Sequence, residues 1–140
     1  MPELGLVETQ WCWRVASREL AVDEVVTLAR QLVKLIGMTC DGPPDCTYYP
    51  NREGKGGYGV QMYQKLVESF LVISTWPDFS FLRITLASCM PYDTNVVSLF
   101  LEEVIGPIEA QGGATIGNRR IKQSQSVLWI WDCLLSWRSS

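Results

Sequence analysis

The sequence predicts an α+β fold, a two-layer αβ sandwich in which an antiparallel sheet carries two helices on one face. Three features lead there. Two segments carry apolar residues at three- and four-residue spacing, the period of a helix buried on one side. Several short runs rich in Val, Ile, Leu, Thr and aromatics are bounded by Gly, Pro, Asp and Ser, which is how strands and their turns read. The helical segments also interrupt runs of consecutive strands instead of alternating with single strands, which disfavours a parallel βαβ sheet. With 140 residues, 47% of them hydrophobic and 19% charged, the chain forms one domain, residues 1–140, large enough for a core.

Residues 8–18 read as a strand with Trp11 and Trp13 on one face. Residues 22–36 read as a helix. Val22, Val25, Val26, Ala29, Leu32, Val33 and Ile36 make its apolar stripe, and Gly37 follows where a left-handed C-cap is common. The segment from Cys40 to Gly57 is loop-rich, with GPP, NREGKGG and one short apolar piece, CTYY. Its GKGG lacks P-loop spacing and reads as a turn into a strand over 58–66. The clearest strands are SFLVISTW, 69–76, and FLRITLAS, 81–88, with PDFS as the hairpin turn between them. Residues 95–105 form the second helix, with Val96-Phe100-Val104 and Val97-Leu101-Ile105 stacked at i,i+4 and Gly106-Pro107 ending it. Strands over 114–122 and 126–134 complete an order β-α-β-β-β-α-β-β.

Composition narrows the function. Twelve basic against fifteen acidic side chains give a net charge of -3 and a pI near 4.9, so no basic surface is expected for nucleic acid. The N-terminal MPELGLVETQ has no basic n-region. No stretch reaches the roughly 18 apolar residues of a spanning helix. A soluble, cytoplasmic protein without membrane contact is therefore expected. The chain has no histidine, which removes Ser-His, Cys-His and His–metal mechanisms. Carboxylates, thiols, hydroxyls, Lys, Tyr or a cofactor remain. Cys40 and Cys46 flank DGPPD without zinc spacing, so no metal is expected. Cys12 and Cys133, set among Trp and Leu, read as core thiols.

Two residues stand out within the strands. Parity puts Cys89 with Arg83 and Thr85, opposite Leu82, Ile84 and Leu86, on the more polar face. Glu68 opens an apolar strand run, where a carboxylate needs a site or a partner. A sheet with helices on one face leaves the other to bury, so a homodimer or higher homo-oligomer is expected.

The block from Glu68 to Cys89, ESFLVISTWPDFSFLRITLASC, resembles the bacterial and archaeal S-adenosylmethionine decarboxylases. Glu68-Ser69 fits the family's Glu-Ser step, Thr75-Trp76-Pro77-Asp78 fits its T-W-P-E, and Cys89 stands at the family's spacing from the serine with no gap. The resemblance implies the compact αβ unit of that family and S-adenosylmethionine as substrate, in polyamine (spermidine) biosynthesis. It implies that Ser69 attacks the preceding carbonyl, that the chain is autocatalytically cut there, and that Ser69 becomes a pyruvoyl cofactor serving as electron sink for decarboxylation. Cys89 would be the proton donor, Trp76 would stack on adenine, and Asp78 would stand in for the glutamate that binds the ribose. Tyr48 or Tyr49 would match the second adenine-stacking aromatic. A flat base beside a sulfonium cation suits such Trp and Tyr faces.

The chain also departs from the family. The histidine after the serine is Phe70, the histidine of the I-H-T-W step is Ser74, and the processing serine on the preceding strand is Gln61. A serine hydroxyl is too weak a base near pH 7 to drive the elimination. If the chain is not cut there is no cofactor, and two alternatives stand beside the pyruvoyl enzyme. One is a cofactor-free lyase that splits S-adenosylmethionine at its sulfonium, with Glu68 and Tyr58 as acid/base groups near one strand-edge region. The other is a non-catalytic S-adenosylmethionine-binding partner of a true decarboxylase.

Overall fold

A computed structural model describes residues 6–14, 20–50, 58–116 and 121–123. They form seven strands and two helices: β1 Leu6–Trp13, α1 Val22–Leu35, β2 Asp45–Tyr49, β3 Gly59–Lys65, β4 Ser69–Trp76, β5 Phe81–Ser88, α2 Thr94–Val104, β6 Ala110–Ile116 and β7 Ile121–Gln123. All neighbours pair antiparallel in one sheet of order β2-β3-β4-β5-β1-β6-β7. Both helices pack on one face, as the sandwich requires. No helix among the described residues is long and apolar enough to cross a membrane.

Alternation explains which face is which. Leu71 and Ile73 of β4, Leu82, Ile84 and Leu86 of β5, Trp11 and Trp13 of β1, and Val60 and Met62 of β3 all point one way. They meet Val25, Leu28, Ala29, Leu32 and Val33 of α1 and Val97, Leu101 and Ile105 of α2. Two indole N–H groups in this layer are satisfied. Trp11 Nε1 donates to Ser98 Oγ at 2.9 Å, and Ser98 Oγ donates to Gln111 Oε1 at 2.9 Å. Trp13 Nε1 donates to the Gly106 carbonyl at 2.9 Å. The two tryptophans thus fix α2 and its exit against the sheet.

The helix ends follow from sequence. Asp93 caps α2 by accepting from the Asn95 and Val96 amides at 3.0 and 3.3 Å. In α1, Glu24 reaches back to the Ala21 amide at 3.3 Å, and Asp23 and Glu24 at the start with Lys34 at the end suit the helix dipole. Gly37, at φ 70°, takes the left-handed conformation expected of it.

Several expectations are corrected. The first strand ends at Trp13, short of residue 18. The loop over 40–57 contains a strand, β2, built on Asp45–Tyr49. The segment 114–122 is not one strand, because β6 begins earlier at Ala110 and ends at Ile116, and β7 follows at Ile121. The PDFS turn holds a single 3₁₀ turn, Pro77–Phe79, closed by Ser80 at φ 51°. GKGG, the strand over 126–134 and Cys133 lie outside the described residues. The second face is not bare in the single chain: Cys12, Ser74, Phe81, Thr85 and Ala87 on it are buried. An uncovered sheet face is therefore not a reason for oligomerisation.

Candidate functional site

The hairpin β4–β5 carries most of the candidate residues, and it sorts them into two groups at opposite ends of β4. At the first end Ser69 pairs with Ser88. One step out, the Cys89 amide donates to the Glu68 carbonyl at 3.0 Å. Glu68, Ser69 and Cys89 are thus brought together, as the 20-residue spacing of Ser69 and Cys89 suggests. Ser69 is half-buried and shares parity with Leu71 and Ile73, so it faces the helix layer. Cys89 is an exposed free thiol just past β5.

Glu68 is not idle. Its Oε2 accepts the Thr39 amide at 3.1 Å, and the Thr39 carbonyl accepts from the Val67 amide at 2.9 Å. The carboxylate ties the segment after α1 to the β3–β4 turn. Its partner is a backbone N–H, neither a cation nor a substrate group.

The second end holds Trp76, Asp78, Tyr49 and Tyr58. Trp76 pairs with Phe81 across the hairpin, with ring centroids 5.4 Å apart. Asp78 is exposed in the 3₁₀ turn. The β2–β3 register separates the two neighbouring tyrosines: Tyr48 pairs with Val60 on the helix side, whereas Tyr49 pairs with Gly59 and shares the face of Gln61 and Trp76. Of the two, Tyr49 is the tyrosine on the same face as Trp76. Tyr58 precedes β3 at this same end. The expected closeness of Tyr58 and Glu68 is corrected, because antiparallel pairing of β3 with β4 puts them at opposite ends of the pair.

Between the ends lies a polar row that the sequence reading did not assemble. Cys12, Arg83, Ser74, Gln61 and Thr47 follow one another across β1, β5, β4, β3 and β2 on the second face. Ser74 is buried, and its hydroxyl donates to Gln61 Oε1 at 2.8 Å. The Arg83 guanidinium lies 5.6 Å from the Trp76 ring centroid, so it covers one face of the indole. The signal was present, since Arg83 is the lone charge inside FLRITLAS. In the sequence it served only to mark the face of Cys89.

A pyruvoyl group at residue 69 can be tested against these contacts. The Cys89 N–H polarises the carbonyl that Ser69 would attack, which fits. Removing the proton for elimination needs a base, and the chain has no histidine. Ser74 lies five residues along β4 from Ser69 and on the opposite face, and its hydroxyl gives its proton to Gln61. A chain without histidine does not fit the formation of this cofactor by that elimination.

No family model matches the chain, and no curated protein matches it in sequence. In structure it is similar to the adenosylmethionine decarboxylase from Aquifex aeolicus VF5, with a TM-score of 0.58 and 16% identity, over 89% of this chain and 98% of that one. The chain therefore has an adenosylmethionine decarboxylase-like αβ fold.

Proposed function

We propose that this chain is an S-adenosylmethionine decarboxylase-like lyase that acts on S-adenosylmethionine or a related amino-acid substrate, and does so without cutting itself. The observation that carries the class is the decarboxylase-like fold over 89% of the chain, with the block Glu68–Cys89 forming its central hairpin. Trp76 and Tyr49 on one face supply rings for a nucleoside and a sulfonium. The net charge of -3 suits a cationic substrate. A chain without histidine lacks the base that elimination at Ser69 needs, which favours the uncut chain. A sulfonium is a good leaving group, so cleavage at sulfur needs no electron sink.

A second reading, the pyruvoyl decarboxylase, is favoured by the hydrogen bond from the Cys89 amide to the Glu68 carbonyl. When present, that cofactor supplies the electron sink for loss of carbon dioxide. Intact mass under denaturing conditions separates the two. The uncut reading expects one 15.8 kDa species. Two fragments, split between Glu68 and Ser69 with a blocked N-terminus on the second, would establish the pyruvoyl enzyme instead.

The proposal includes a soluble, cytoplasmic homodimer or higher homo-oligomer. The two candidate ends of β4 lie seven residues apart, about 23 Å of extended strand. A second copy running the opposite way would bring the Trp76 end of one chain toward the Ser69 end of the other. Light scattering tests this: a mass of 15.8 kDa would overturn it.

A further inference from the structure

Arg83 is the group that neither reading above uses. It is half-buried in the middle of the second face. Its Nε is fully buried and has no hydrogen-bond partner, and among the described residues it makes no ion pair. Buried guanidinium N–H groups are costly to leave unpaired. Its described neighbours supply no counter-charge: Cys12 and Ser74 flank it across the sheet, and Phe81 and Thr85 lie along its own strand. Among the described residues it lies over the Trp76 ring, 5.6 Å from the centroid, a contact that attracts the cation without satisfying its donors. Ser74, the polar group beside it, is occupied by Gln61.

We infer that Arg83 is a binding residue for the carboxylate of the ligand, with Trp76 as the platform that orients its fork. A guanidinium is planar and presents paired N–H donors that match a carboxylate in bidentate geometry. The inference deepens the proposed function and rests on its ligand class, an adenosyl amino acid. Pairing with Arg83 stabilises the carboxylate before any bond breaks, so it favours chemistry in which the carboxylate is kept. That agrees with cleavage at sulfur by an uncut chain.

The test compares two ligands that differ only in the carboxylate, S-adenosylmethionine and decarboxylated S-adenosylmethionine. Calorimetric titration is run on the wild type, Arg83→Met and Arg83→Lys, each checked for an unchanged circular dichroism spectrum. The wild type is expected to bind the carboxylate-bearing ligand roughly ten- to a hundredfold more tightly. Arg83→Met is expected to erase that preference, and Arg83→Lys to restore part of it. Equal affinities in the wild type, or a preference that survives Arg83→Met, would overturn the inference while leaving the ligand class standing. Thermal unfolding in rising acetate covers the remaining case, in which neither adenosyl compound binds. A stabilisation of the wild type that Arg83→Met abolishes keeps the carboxylate site and removes the ligand class. No difference between the two proteins overturns both.

Discussion

Tyr92 shows how much a single buried contact carries. Its hydroxyl donates to the Leu86 carbonyl at 3.0 Å and takes a hydrogen bond from Thr9 Oγ1 at 2.8 Å, which ties the entry to α2 to β5 and β1. Burial pushes its pKa up to about 12, the Thr9 hydrogen bond lowers it and the Glu8 charge raises it further. The folded state therefore holds this proton more tightly than the unfolded chain, and the contribution is complete below pH 10 and lost as pH rises toward 12. The stability gap between wild type and Tyr92→Phe is expected to narrow across that window in denaturant titrations. Gly59 is constrained differently. At φ 143° an added Cβ would overlap the Thr75 carbonyl oxygen. Gly59→Ala is expected to cost at least about 2 kcal/mol, measured as a fall in the denaturation midpoint. At Glu68 the carboxylate accepts from the Thr39 amide. Glu68→Ala should cost about 1 kcal/mol and Glu68→Gln less, because the amide oxygen still accepts.

At the scale of elements, Trp11 makes a joint among three of them. It is fully buried and linked through Ser98 to Gln111, so one side chain connects β1, α2 and β6. Trp11→Ala should cost about 3–5 kcal/mol in equilibrium unfolding. The elements that could be read from the sequence were those with strong alternation and sharp ends. The bounds of β4 and β5 match the sequence reading, because apolar residues alternate between faces and Pro77, Asp78 and Ser80 interrupt them. β2 was hidden because Asp45–Tyr49 is an edge strand with little burial, so its side chains carry no inward period. The start of β6 was hidden by Gly112 and Gly113, whose lack of side chains leaves a strand without a pattern. At the site, the resemblance to the decarboxylases joined Glu68, Ser69 and Cys89, and the regular pairing of one hairpin brings them together. The separation of Tyr58 from Glu68, and the choice of Tyr49 over Tyr48, depend on the register of β3 with its neighbours. Register is set by the pairing of distant segments, and no local pattern expresses it.

At the scale of the whole molecule, the sheet divides its labour between its faces. The helix-covered face supplies the core and takes the Ser69 side, whereas Trp76, Arg83, Ser74 and Gln61 adjoin one another on the second face, where Ser74 is buried. Phe70 and Ser74 both lie on the second face, away from the helix-side core. Trp76→Ala removes the platform from under Arg83 and should lower the affinity for S-adenosylmethionine at least tenfold while leaving the helix-side core untouched. The most direct measurement is incubation of the purified, uncut chain with S-adenosylmethionine, followed by chromatography of every adenosyl compound. Time-dependent loss of the substrate with a single product, abolished in Trp76→Ala, is the expected result. Substrate that remains unchanged at high protein concentration, whether bound or not, would contradict a lyase on this fold.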